Sequence, residues 1–556
     1  QERMKRTYET AGVSIFFTSI TDIVAFAVGC TSTFPAVRGF CAYTATGVLF
    51  DFVFQLLFFG AVMALDGHRE YCGQGEFRAY LGFGWLRQDK YSPTKDLTAR
   101  VAPGEPIPVM PEVAKTQRLV RAYGEALLSP KWSAAVLAVF AGYIAYAIVG
   151  ATQVGTGLDV RDLAATDSYW TVFVNQRYNY FNEKGPLYNV AFPAESVDWS
   201  VPTERAAALT LMTQLEALDC LSMESRGSWL REFEAFGGAA VQGAEGDAFY
   251  SALDQWLQGP GFEFQKDVLL VALPEGQWRV QAARMAVRMQ AFESTGGDTL
   301  GVPCMRDSRE VLDAWQEPRT TPSPLVSFEA FQFWESTAVI VEQTMLNLVY
   351  AAACCFLITL LVLPHPVLCC MAMLVVAMIL AGLVGTMALV LNIRIETISM
   401  INLVISIGFS IDNVAHYFHS YMASKKPTRK EKALDALERI GVPILAGDAS
   451  TMIALLPLLG SKSQIFRSFF FILFTVLLLG ALHAVVLLPV VLGWAGPLLH
   501  VEEEVELEQA GAGPGKKPAA SDVVHSNEPS IGESGGESAP APASGLEDPV
   551  VIQTRQ

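Results

Sequence analysis

Asp412 and His416 stand four residues apart inside an apolar run, residues 395–421, that is long enough to cross a bilayer as a helix. Four residues are about one helical turn, so both side chains emerge on one face. Asn402, Ser406 and Asn413 fall on a neighbouring stripe, at spacings of four and seven residues. A charged group at membrane depth costs at least about 2–3 kcal/mol unless it faces protein or water, so such groups mark proton or ion paths by default. Asp412, His416 and Asn413 are therefore candidates for ion or proton coupling. Gly408, one turn before Asp412, leaves room for a neighbouring helix on that face. The competing role for the same residues is hydrogen-bonded glue between helices.

Two other apolar runs carry polar pairs at helical spacing. Thr18 and Asp22 are four residues apart, and Asp448 and Thr451 three apart. These four are secondary intramembrane polar sites; their acids either belong to a pathway or sit solvated near a helix end. Asp51 and His483 fit packing or interfacial roles better. The 556 residues hold no phosphate-cradling glycine loop, nucleophile motif or metal-ligand spacing, so no enzyme activity, cofactor or metal is expected.

The elements that would position these groups are legible in the hydropathy. Half of the chain is apolar and charged residues make up only 17% of it, the balance of an integral membrane protein. Eight stretches are long enough to span: 13–30, 40–65, 132–150, 337–363, 366–391, 395–421, 442–459 and 465–492. Basic residues flank the first (Arg3, Lys5, Arg6) and fill the connection between the sixth and seventh (Lys425, Lys426, Arg429, Lys430, Lys432). The positive-inside rule makes both cytoplasmic. The N-terminus and the C-terminal tail are then cytoplasmic in a multi-pass protein of the plasma membrane or an endomembrane.

The expected fold class is a polytopic α-helical membrane protein with one inserted α+β ectodomain. Residues 1–66 hold two spans, 67–131 a cytoplasmic linker, and 132–151 a third span. The linker carries a proline-rich patch (Pro103, Pro106, Pro108, Pro111) and an amphipathic helix with Val113, Val120, Tyr123 and Leu127 on one side. Residues 152–336 form the lumenal or extracellular insert, with strands expected at 187–192 and 268–273 and helices at 204–218, 249–257 and 279–292. Cys220 and Cys304 are its only cysteines. An oxidising compartment permits a disulfide between them, and two unpaired thiols are the alternative. A five-span bundle occupies 337–497, and 498–556 reads as a disordered acidic tail. The net charge of −17 comes largely from the soluble middle and this tail and does not point to nucleic acid.

The chain also repeats itself. A shift of 429 residues lays the first two spans on the last two without a gap, Gly12, Val13, Arg38 and Phe40 falling on Gly441, Val442, Arg467 and Phe469. Parallel repeats are common in transporters, whose pathway lies at the repeat interface. The repeat pairs Ser19 with Asp448 and Asp22 with Thr451. It also predicts that Glu9 and Glu438 lie on short helices running along the bilayer surface. Four spans have no counterpart, so the sequence reads as an N-terminally truncated piece of a longer chain.

Gly408-Phe409-Ser410-Ile411-Asp412 resembles the G-x-x-x-D/E motif of the resistance–nodulation–division superfamily. Within it the chain is most similar to the Patched, Patched-domain-containing and Niemann–Pick type C branch. Thr10-Ala11-Gly12-Val13-Ser14, Thr18-Ser19-Ile20-Thr21-Asp22, Phe34-Pro35-Ala36-Val37-Arg38 and Lys462-Ser463-Gln464-Ile465-Phe466 carry the likeness. So does Gly157-Leu158-Asp159-Val160-Arg161-Asp162-Leu163 at the start of the insert. The resemblance implies a twelve-span fold of which this chain supplies the fifth to twelfth helices, with residues 13–65 ending a sterol-sensing domain. It implies a transporter that moves sterol or another lipid, coupled to a proton or monovalent-cation gradient through Asp412. A sterol-sensing or ligand-binding receptor without coupled transport is the alternative, and drug or metabolite efflux is compatible with the same helices.

Overall fold

A computed structural model describes residues 2–71, 111–181, 185–222, 228–273, 277–290 and 300–498. Sixteen α-helices are named here in chain order. In the membrane part, α1 (Glu2–Gly29) and α2 (Pro35–Phe54) are followed by a π-turn (Gln55–Phe59) and α3 (Gly60–Tyr71). Next come α4 (Pro111–Leu127) and α5 (Pro130–Ala151), and after the insert α11 (Phe331–Val362), α12 (Pro366–Thr386), α13 (Thr397–Met422) and α14 (Arg429–Leu459). The last are α15 (Gln464–Leu482), a second π-turn (His483–Leu487) and α16 (Leu488–Ala495).

Among the described residues seven helical segments are long and apolar enough to cross a membrane, Pro35–Gly67 and Gln464–Ala495 each running through a π-turn. The first stretch differs, because the apolar part of α1 is the shorter Ile15–Gly29. The chain is thus a polytopic helical membrane protein, and α13 is its central strut. The apolar window of α13 is 78% buried, against 6% for Pro35–Gly67, although α13 is the less hydrophobic of the two. Small residues explain this. Ser399, Ser406, Gly408, Ser410 and Ala415 let α1, α11, α12, α14 and α15 close in around it. A second close approach joins α5 to α12, where a Cβ on Gly150 would fall 2.4 Å from the Gly385 Cα.

The insert begins beside the N-terminus of α13, where Thr156 bridges Ile395. It contains α6 (Tyr169–Tyr180), α7 (Pro202–Glu216), α8 (Trp229–Gln242), α9 (Gly246–Leu257) and α10 (Val302–Gln316). Its strands β1 (Leu187–Phe192), β2 (Leu221–Ser222), β3 (Val268–Ala272), β4 (Trp278–Met289) and β5 (Leu325–Ser327) form one antiparallel sheet. Within it β4 lies between β2 and β1 and also pairs with β3, while β5 takes the edge beyond β1. Tyr188, Val190 and Phe192 alternate inward along β1 and meet Leu211, Leu215, Trp229 and Phe249 from the helices. Cys220 and Cys304 form a disulfide with Cα atoms 5.8 Å apart.

Two expectations fail. The helix expected at 279–292 is not formed over its described residues, because β4 occupies Trp278–Met289. Ala, Met, Arg and Gln made the run look helical, yet Ala283, Met285, Val287 and Met289 are buried at every second position. Cross-strand pairing with β1, in a register that sets Val190 opposite Met285, overrides the local propensity. Glu9 and Glu438 do not lie on separate surface helices either, since each sits within the continuous α1 or α14. Of the linker, α4 forms as expected and packs on α14, where Leu434 and Leu437 approach Gly124. The prolines at 103, 106 and 108 and residues 499–556 lie outside the described residues.

Candidate functional site

The site is built on α13, whose start is fixed by a capping box. The Glu396 side chain accepts from the backbone of Ser399, and the Ser399 hydroxyl accepts from the backbone N–H of Glu396 at 2.7 Å. From that anchor the helix carries Asn402, Ser406, Gly408, Ser410, Asp412 and Asn413 into the bundle interior.

Three helices deliver carboxylates to this stretch. From α1, the Asp22 carboxylate lies directly over Gly408, so that a Cβ on Gly408 would fall 2.1 Å from Asp22 Oδ1. Asp412 itself is partly buried, with Asp22, Thr21 and Asp448 acting on it, and its Oδ1 is buried without a hydrogen-bond partner. From α14, Asp448 accepts two bonds from Asn413 Nδ2, at 2.9 and 3.2 Å. Cys355 of α11 closes the back of the cluster, its thiol 4.0 Å from the Thr21 carbonyl oxygen. Ile407, Ile411, Val376 and Ala25 make the surrounding shell apolar.

Carboxylates gathered in so dry a place need a cation or shared protons to compensate their charge. Further polar groups line the same helices. Both amide atoms of Asn402, the hydroxyl of Ser410 and the amide nitrogen of Asn347 on α11 are buried without a protein partner. Buried polar atoms of this kind are ordinarily satisfied by water or an ion. Among the described residues no group of three His, Cys, Asp or Glu has the arrangement of a metal site.

The structure therefore brings together Asp412, Gly408, Asn413, Asp22 and Asp448. Of the other named residues, Thr18, Thr451 and His483 make their contacts elsewhere. His416 is half-buried on the next turn beside His419, and Asp22, Thr21 and Asp448 are the groups that act on Asp412. The hydroxyls of Thr18 and Thr451 donate to their own helices, to Ile15 and Gly447. His483 is packed between Phe140 and Tyr143, with ring centroids 4.9 and 5.4 Å away, and its Nδ1 lies 2.7 Å from the Leu479 carbonyl oxygen.

Sequence reasoning missed Thr21, whose only signal is its place beside Asp22, and Asn347, an amide in the middle of an apolar run. It also missed Glu396. This carboxyl sits just outside the α13 span, largely buried, and desolvation followed by the charge of Asp162 pushes its pKa up to about 7. Arg394 reaches from the same turn to the Thr156 carbonyl oxygen at 3.3 Å.

Known proteins match this architecture. A family model described as Patched SSD, for sterol-sensing domain, matches residues 1–65. Patched-related protein 9 of Caenorhabditis elegans is 27% identical over 497 residues, covering 88% of this chain and 54% of that protein. NPC intracellular cholesterol transporter 1 of Sus scrofa is 23% identical over 572 residues, covering 91% of this chain and 42% of that protein. The chain spans about half the length, or less, of these curated relatives. In fold it resembles the hedgehog release protein Disp from the water bear Hypsibius dujardini, with a TM-score of 0.59 at 14% identity, over 88% of this chain and 59% of that one. The chain thus matches the Patched SSD model over its first 65 residues, is similar over most of its length to Patched-related and Niemann–Pick type C proteins, and shares its fold with Disp.

Proposed function

We propose that the protein to which this chain belongs moves sterol or another lipid across or within a membrane, driven by a proton or monovalent-cation gradient that is spent at Asp412, Asp22 and Asp448. The observation that carries this reading is the convergence of the three acids from α1, α13 and α14 around Gly408 and Asn413. A membrane protein that only binds a ligand has no evident need for three carboxylates in one dry cluster. A coupling device does need them, because proton and cation become alternative occupants whose balance each conformation can shift. The lipid cargo rests on likeness to relatives described as cholesterol transporters. In this reading the insert is lumenal or extracellular and the loop of Lys425, Lys426 and Arg429 is cytoplasmic.

The test is Asp412→Asn in the full-length protein, reconstituted in liposomes with a labelled sterol and an imposed proton or sodium gradient. Expression, melting temperature and sterol binding should be retained while gradient-dependent movement is lost. A variant that responds to the gradient as the parent does would remove Asp412 from the mechanism.

A further inference from the structure

Helix α6, Tyr169-Trp170-Thr171-Val172-Phe173-Val174-Asn175-Gln176-Arg177-Tyr178-Asn179-Tyr180, carries aromatic side chains, with Gln176 among them, on the side that faces away from the protein. Val174 is its buried side chain, and Thr171 turns inward to donate to the Ala165 carbonyl oxygen at 2.9 Å. At about 100° per residue, Tyr169, Phe173 and Tyr180 fall on the opposite face within roughly 40° of one another, flanked by Val172 and Trp170. They are open: Tyr169 is 84%, Phe173 44% and Tyr180 71% exposed, and Phe181 follows at 77%. An aqueous helix has no reason to turn its aromatics outward while burying a valine.

The height of this helix relative to the bilayer is fixed by its anchors. Ala165 bridges Ser463, the Thr166 N–H donates to the Lys462 carbonyl oxygen at 3.0 Å, and Lys462 Nζ lies 2.5 Å from Asp167. Ser463 is the N-cap residue of α15, which spans the membrane. The chain enters α6 at Ser168, one residue past the ion pair, so the helix starts at the depth where a span ends. The exposed Phe466 on the first turn of α15 and Leu459 at the end of α14 carry the lipid-facing surface of the bundle to that point. Tyr and Trp concentrate at this depth in membrane proteins, where a ring can bury its body among acyl chains and keep its polar atom in the headgroups. Arg177, at the edge of the stripe, is within one turn of Phe173 and suits a lipid phosphate.

We propose that α6 is an interfacial helix whose Tyr169–Phe173–Tyr180 face is seated in the headgroup–acyl boundary of the leaflet on the insert's side. It would hold the insert against the membrane surface independently of what the bundle transports. The test places the photocrosslinker benzoylphenylalanine at Phe173 and, as the control, at Asn175 in the full-length protein. Each variant is reconstituted in phosphatidylcholine nanodiscs, illuminated and analysed by mass. Phospholipid adducts severalfold more abundant at position 173 than at 175 are the expected result. An intramolecular protein crosslink at 173, meaning that another part of the protein covers the face, would overturn the proposal. So would equal lipid capture at the two positions or none at either. Retained melting temperature in both variants certifies that the fold survives the replacement.

Discussion

Gly408→Ala tests whether the glycine of the G-x-x-x-D sequence exists to admit Asp22. The added Cβ would lie 2.1 Å from Asp22 Oδ1 and 3.3 Å from its Cγ, whereas ordinary contact begins near 3.5 Å. The carboxylate must therefore retreat by more than about 1 Å, and a side-chain rotation moves it further. Such a rotation is cheap for the fold. Overpacking of a flexible group costs about 1 kcal/mol, and replacing glycine with alanine in a helix returns a similar amount. The electrostatic effect is larger. At an effective dielectric near 20, moving one charge from about 4 to about 6 Å from another changes their interaction by about 1.4 kcal/mol, or roughly tenfold in proton or cation affinity. Gly408→Ala should thus leave the melting temperature of the full-length protein nearly unchanged. On the proposed coupling, the midpoint of gradient-dependent lipid movement should shift by about one pH unit, or one decade of cation concentration. Pairing it with Asp22→Ser relieves the clash without restoring coupling. An unchanged midpoint in Gly408→Ala would refute the argument that Asp22 and Gly408 form one device.

Two further outcomes follow from groups outside the membrane. Glu396 has its folded pKa raised to about 7 from an ordinary value of 4.5, so its contribution to stability is complete below about pH 4.5 and is lost as pH rises through 7. The loss is on the order of 3 kcal/mol. Glu396→Gln should flatten the melting profile of the protein across that window, and an unchanged slope would show that the carboxyl is better solvated than its burial implies. The Cys220–Cys304 bond spans 84 residues of the insert. Cys220→Ser should lower its stability by about 2–4 kcal/mol, measured as a fall in the melting temperature of the parent to that of its dithiothreitol-treated form.

Asp412 was legible because a charge in an otherwise apolar run is costly unless it faces protein or water. Its partners were not legible as partners. Asp22 and Asp448 lie some 390 and 36 residues away, and nothing in the periodicity of α1 or α14 says which face meets α13. Gly408 was recognised as a place where a helix approaches closely, and α1 does arrive there, with the Asp22 carboxylate nearer than its backbone. In the insert, alternation was plain in β1 because its outward positions are small or polar. In β4 the same alternation was hidden by Ala, Met and Arg, which serve helix and strand alike.

The repeat gains physical content from the site. Pro35 and Gln464 open α2 and α15 at the same 429-residue shift, and the π-turns at Gln55–Phe59 and His483–Leu487 fall within one residue of equivalence. The two copies thus share their breaks as well as their helices. Their leading helices, α1 and α14, both pack on α13, yet they do not offer acids at equivalent positions, since Asp448 corresponds to Ser19 and not to Asp22. Along α1, three residues separate those positions, about 4.5 Å of rise. On α13 the groups that receive the acids, Gly408 and Asn413, are five residues apart, about 7.5 Å in the same direction, because α13 runs opposite to α1 and α14. Phe26 at the end of α1 shares a cluster with Met400 at the start of α13, which fixes that antiparallel sense. A strictly symmetric pair would set two carboxylates at one depth on either side of Asp412. The offset instead seats the two acids at different depths along α13, Asp22 at Gly408 and Asp448 at Asn413.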